Sequence, residues 1–174
     1  GIMAENSKEK KKNKIMLEVV TPYRHFYEGQ VSGVVMPSLD GDLGVLPGHA
    51  PLVVALTPGH LEITIDEDKR YAVLTEGFAE IGQHLVLVVC NAAEWPEDIN
   101  IKRAFDAYHR AYARYHSIKL SSEESLYARH SMKRARERMN LIFHHGTDSQ
   151  KEQLNALTGG MLPQSFDVPA DNRV

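Results

Sequence analysis

Short apolar runs recur between residues 15 and 90, at 15–20, 25–27, 31–36, 43–46, 52–56, 61–65, 71–74, 78–81 and 85–90, each ended by glycine, proline or an Asp/Asn cluster. Several alternate apolar with polar residues, as Leu61-Glu62-Ile63-Thr64-Ile65 does, which gives a strand one buried and one wet face. Asp66-Glu67-Asp68-Lys69 lies between two such runs and reads as a hairpin loop. Many short strands with no helical pattern between them predict an antiparallel β-sandwich, or flattened barrel, over 15–94.

The period changes after Trp95-Pro96. Ile101, Phe105, Tyr108, Tyr112 and Tyr115 step by four and three, the apolar stripe of a helix, with Ala104, Ala107 and Ala111 beside it. Ser121-Ser122-Glu123-Glu124 offers a capping box, in which a serine oxygen accepts a free amide and Glu124 reaches back. Ala128, Met132, Ala135, Met139 and Ile142 then repeat the stripe, so two helices of similar length predict an antiparallel hairpin over 98–144 whose small alanines allow close approach. His144-His145-Gly146 reads as its stop. The expected fold class is α+β, an N-terminal sandwich followed by a C-terminal helical hairpin. Residues 1–14 read as a flexible lysine-rich leader. Residues 145–174, with Gly159-Gly160, Pro163 and Pro169 and no strong period, read as an extension expected to be mobile or extended.

A chain of 174 residues with 43% hydrophobic and 25% charged side chains can build one dominant core plus an appendage. Its net charge of -3 is unevenly spread: +3 over 1–14, -8 over 15–94, +4 over 95–145 and -2 beyond. The acidic sandwich argues against a nucleic-acid binder, which needs phosphate-neutralising charge over its docking surface. The longest uncharged stretch, 43–61, is interrupted by Pro47, Pro51 and Pro58, so it cannot span a membrane as a helix. No secretory signal pattern is seen, because the apolar run after the lysines is broken at Glu18. Cys90 is the single cysteine and follows the apolar run 85–89; it reads as a core residue in a reducing compartment and excludes an internal disulfide.

Catalytic signatures are missing: there is no phosphate loop, no G-x-S-x-G elbow and no H-E-x-x-H zinc helix. The nine histidines are scattered, and the adjacent His144 and His145 project in different directions from a helix. No catalytic and no metal-ligating residue is therefore assigned, and the chain is expected not to be an enzyme by itself.

The segment Gly41-Asp42-Leu43-Gly44-Val45-Leu46-Pro47-Gly48-His49-Ala50-Pro51-Leu52 combines glycines that permit positive φ with prolines that remove amide donors, a fixed and shaped turn at a sheet edge. It resembles the G-E-L-G-x-x-P-G-H-A-P-L signature of the epsilon subunit of F-type rotary ATP synthases, called delta in mitochondria. Val19-Val20-Thr21-Pro22, Val34-Val35-Met36-Pro37 and Gly77-Phe78-Ala79-Glu80-Ile81 extend the likeness, which runs from about Ile15 to Phe143. Asp42 stands where the family usually has Glu. The resemblance implies a non-catalytic central-stalk rotor part that couples proton flow to ATP synthesis. Its sandwich would bind the gamma subunit and rest on the c-subunit ring, with Asp42 and His49 among the ring-facing residues. It further implies a peripheral place on the cytoplasmic face of the inner membrane, reached only through the complex. From spacing alone the same segment also reads as a plain structural corner.

In that family the helical hairpin is a brake that lies folded on the sandwich or extends into the catalytic head, where basic side chains meet the beta and alpha subunits and block ATP hydrolysis. The +4 charge of 95–145 suits that role, while Arg134, Arg136 and Arg138 also read as a solvated helix face. Some bacterial members bind a regulatory ATP through a motif like I-D-x-x-R-A, a preceding glutamate and further arginines. The matching residues are Glu94, Asn100, Arg103, Ala104, Arg110, Arg134 and Arg138. Arg103 and Arg110 are two turns apart and Arg134 and Arg138 one, so each pair can share a helix face toward phosphate. Asn100 replaces the motif's Asp, losing its charge, and reads equally well as the cap of the first helix. No cofactor is required by this reading beyond that regulatory ATP. The competing reading is a free-standing nucleotide-binding sandwich module whose hairpin closes over its ligand.

Overall fold

The computed structural model describes residues 13–117 and 119–170. Most of the leader, residues 1–12, thus lies outside the described residues. The chain divides into two compact units, Gly1–Ala93 and Glu94–Val174.

The first unit is a nearly closed, barrel-like sandwich. Its strands are β1 (Ile15–Val20), β2 (His25–Val31), β3 (Gly33–Ser38), β4 (Gly41–Val45), β5 (Leu52–Leu56), β6 (Gly59–Ile65), β7 (Asp68–Leu74), β8 (Gly77–Ile81), β9 (Leu85–Cys90) and β10 (Ala93–Glu94). They pair in the order β10-β7-β6-β3-β5-β8-β9-β1-β2, with β4 added on β3. Every pairing with a described register is antiparallel except β1 with β9, which is parallel. Alternation decides the inner face: Ile15, Leu17 and Val19 of β1 are fully buried, and Leu61 and Ile63 of β6, Val86 and Val88 of β9 and Met36 of β3 join them. Each large aliphatic side chain buried this way contributes about 1.5–3 kcal/mol.

Two close approaches pin the strands. A Cβ at Gly77 would meet the Val89 carbonyl oxygen at 1.9 Å, and one at Gly59 would meet Pro37 Cβ at 2.6 Å. The β6–β7 connection is tighter than the four-residue loop expected, since Ile65 already pairs with Asp68. Asp66 adopts a left-handed φ of 56° there, its N–H donates to Ser32 Oγ at 2.7 Å, and its carboxylate pairs with Lys14. Cys90 is buried, and burial pushes its thiol up to about 11, so it stays an unreactive core group.

The second unit holds three helices: α1 (Ile101–Tyr115), α2 (Ser122–His145) and α3 (Asp148–Thr158). Asn100 caps α1, its side chain accepting the Arg103 N–H at 2.9 Å. Ser121 caps α2 by accepting the Glu124 N–H at 3.1 Å. All five stripe residues of α2, Ala128, Met132, Ala135, Met139 and Ile142, are buried, with Leu141 beside them. On α1 the seam is rotated from the aromatic stripe: Ile101, Ala104, Tyr108 and Ala111 are buried, whereas Tyr112 is exposed. The alanines win because they let the helix backbones approach.

The extension departs from the expectation. Asp148–Thr158 is helical, held by a reciprocal capping box between Thr147 and Gln150 and closed by Gly159 in the left-handed conformation at φ 65°. Beyond one 3-10 turn at Pro163–Ser165, the chain to residue 170 has no regular secondary structure.

Candidate functional site

In the helical unit, Arg134 and Arg138 sit one turn apart on α2, both partly buried. The Arg138 Nε donates to Glu94 Oε1 at 2.5 Å, so the glutamate ahead of α1 and the last arginine of the set are brought together. Burial, and then the neighbouring Arg138 charge, lower the affinity of Arg134 for its proton. Two guanidiniums close together in a half-desolvated setting make a point where an anion is favoured.

The α1 members stand differently. Arg103 and Arg110 are exposed, and among the described residues no hydrogen bond or ion pair joins their side chains to Glu94, Arg134 or Arg138. Ala104 is buried in the helix seam, and Asn100 has its side-chain oxygen engaged as the α1 cap. The basic run on α2 is also not one uniform face, because Arg136 is directed to the Phe166 carbonyl oxygen at 3.2 Å.

On the sandwich, the glycine- and proline-rich segment is half strand. Asp42 is exposed on β4 opposite Pro37, close to the β3–β4 turn, where Gly41 takes a φ of 116°. His49 lies beyond the other end of β4, in a turn closed by its N–H donating to the Leu46 carbonyl at 3.2 Å. Its Nδ1 lies 2.6 Å from the Ala50 carbonyl, an acceptor only, so Nδ1 carries the proton. Gly48, at φ 84°, donates to the Gln83 carbonyl and ties this turn to the β8–β9 connection. Asp42 and His49 therefore flank β4 from its two ends, each beside an exposed leucine, Leu39 and Leu46 respectively.

A broader surface was not singled out from the sequence. Across β5, β8, β9 and β1 the register aligns Ala55, Phe78, Val89 and Val20 in one row and Val53, Glu80, Leu87 and Glu18 in the next. These are the outward positions. Val53 is 68% exposed, Phe78 44% and Leu85 43%, so the outer face carries an apolar band. The signal was present in the sequence, since the run 85–90 is apolar at every position rather than at every second one.

Comparison with known proteins converges on one family. Residues 14–96 match the family model described as the ATP synthase, Delta/Epsilon chain, beta-sandwich domain. The chain is 41% identical over 124 residues to an ATP synthase epsilon chain of Ruminiclostridium cellulolyticum, covering 71% of this chain and 92% of that one. It is 38% identical over 126 residues to one of Caldanaerobacter subterraneus, covering 72% and 91%. In fold it is similar to a chain in the Euglena gracilis mitochondrial ATP synthase OSCP/F1/c-ring assembly, with a TM-score of 0.62, 22% identity and coverage of 71% and 78%.

Proposed function

The chain belongs to the ATP synthase epsilon chain family, and from that premise we propose that it is a non-catalytic central-stalk subunit that docks on the rotor through its sandwich and restrains ATP hydrolysis through its helices. The observation that carries the docking half is the apolar outer band of β5, β8 and β9, which offers a partner a broad hydrophobic face. We assign that face to the gamma subunit and the β4 flanks, with Asp42, His49 and the exposed Leu39 and Leu46, to the c-subunit ring. Among the described residues no helix is long and apolar enough to cross a membrane; in this proposal the chain is held peripherally, on the cytoplasmic face, by those contacts alone.

The restraining half rests on the basic α2. Released toward the catalytic head, its arginines would meet acidic surfaces of the beta and alpha subunits. A regulatory ATP belongs to the same proposal: Arg134 and Arg138 supply the partly desolvated cations, Arg103 and Arg110 the exposed ones, and Glu94 releases Arg138 to the phosphates. Asn100 and Ala104 complete the motif at the start of α1.

A Val53→Glu/Phe78→Glu double variant tests the docking. Both side chains are solvent-exposed, so each change should alter stability by no more than about 0.5 kcal/mol while co-purification with gamma is lost. A well-folded parent chain that fails to bind gamma would sink the rotor reading. For ATP, calorimetry of the parent should show heat that an Arg103→Ala/Arg134→Ala variant loses; a silent parent ends the ATP assignment and leaves the rotor reading standing.

A further inference from the structure

The extension does not trail away from the hairpin; it returns along it. Helix α3 is anchored near the start of the unit, where the Gln150 side-chain amide donates to the Pro96 carbonyl at 2.9 Å and Leu154 is buried. Gly159 and Gly160, both at positive φ, then turn the chain, and Pro163 is buried as the return begins. From there Phe166 is buried against α1, its ring 5.0 Å from that of Tyr108 and 6.4 Å from that of Phe105, both edge-to-face.

Three anchor points follow within four residues, and both helices supply them. Tyr108 of α1 donates its hydroxyl to the Asp167 carbonyl at 2.5 Å. Arg136 of α2 donates to the Phe166 carbonyl at 3.2 Å, and Arg129 of α2 to the Pro169 carbonyl. The spacing is self-consistent. Seven residues of helix from 136 back to 129 rise about 10.5 Å, and three residues of chain from 166 to 169 can reach about 10 Å. The segment therefore runs antiparallel to α2, donated to from both helices of the α1–α2 seam. Burial is the main reason the Tyr108 hydroxyl is pushed up to about 12, so it remains a donor across the physiological range.

We propose that residues 163–169 are an intramolecular strap that locks α1 against α2, so that the helices separate only after Phe166 and its flanking carbonyls have been released. The α1–α2 seam interleaves alanines with Ile101, Tyr108, Met132, Met139 and Ile142, and a strap bonded to both helices adds closed-state stability that the pair alone lacks. Its bonds fall on backbone carbonyls, with Phe166 as the single aromatic anchor, so one side chain controls the device. The strap restrains the same helices that the proposed brake deploys, and in that respect the inference leans on the reading above; its primary test does not.

Hydrogen exchange on the full chain reads the lock directly, because helices released from a partner fray and lose protection. In Phe166→Ala the amides of α1 and α2 are expected to exchange about 10-fold faster or more, with β1–β9 unchanged as the internal reference. Tyr108→Phe, which removes only the hydroxyl donor, should give a smaller acceleration of the same amides and guards against a Phe166→Ala chain whose helical unit does not fold. Protection of α1 and α2 within about twofold of the parent in both variants would overturn the strap. The same variants in a reconstituted synthase separate the two ideas: faster exchange with stronger inhibition of hydrolysis supports strap and brake together, whereas faster exchange with unchanged hydrolysis keeps the strap and removes the brake.

Discussion

Both units bury large side chains, but the sandwich interlocks them across many paired strands, whereas the helical unit interleaves them with alanines and is tied further by single hydrogen bonds to the strap. Ile15, Leu17, Met36, Leu61 and Ile63 fill the first from several strands at once, so no strand can leave without opening the core. The second closes through Ala104, Ala111, Ala128 and Ala135 interleaved with Ile101, Tyr108, Met132, Met139 and Ile142, and further ties are side chains reaching backbone carbonyls of the strap. Interactions of that kind can be undone one at a time. The two roles proposed above, a rigid docking body and a releasable element, call for different packing.

Substitutions should expose the contrast, beginning with the sandwich. Gly77→Ala places a methyl group 1.9 Å from the Val89 carbonyl oxygen and 2.8 Å from Cys90 Cα, and backbone cannot yield there. A loss of about 3 kcal/mol or more is expected in urea unfolding, while Gly44→Ala, with nothing within 4 Å, should stay within about 0.5 kcal/mol. An unaffected Gly77→Ala would mean that the β8–β9 approach is looser than described. In the helical unit, Ala135→Leu overfills a fully buried seam position and should cost about 1–3 kcal/mol, read as lost helical signal with the sandwich intact. Equal loss from both units would contradict their separate packing.

The smallest effect is a pH dependence confined to the helices. The Tyr108 hydroxyl is raised from its ordinary value of 10.0 to about 12, first by burial, so the folded form holds its proton where the unfolded form has released it. Its stabilising share is whole below pH 10 and is lost as pH climbs toward 12. Helical unfolding followed over that range should show the decline in the parent and lose it in Tyr108→Phe; an identical decline in both would assign it elsewhere.

Much of this was legible in the residues. The alternation in β1 and β6 and the full α2 stripe name the buried positions directly, because burial on one face leaves a period. The α1 seam was displaced by one position, since the aromatic stripe is the more hydrophobic choice but the alanines allow the closer approach. Helix α3 was missed although Thr147, Gln150 and Gly159 are ordinary start and stop signals; its short body lacked the stripe that draws attention to them. The strap left almost no trace, because its acceptors are backbone carbonyls that every sequence possesses. Glu94 and Arg138 were grouped only by the family resemblance, and their ion pair was not legible in spacing, while Arg103 and Arg110 remain exposed on α1.

The central claim is that the sandwich holds the rotor while the helices restrain hydrolysis. It is tested most directly by ATP hydrolysis of a synthase reconstituted with the full chain or with one lacking residues 98–174, at equal gamma-bound occupancy. The account predicts that both chains occupy the complex and that hydrolysis rises when the helices are removed. Equal occupancy with unchanged hydrolysis would contradict it.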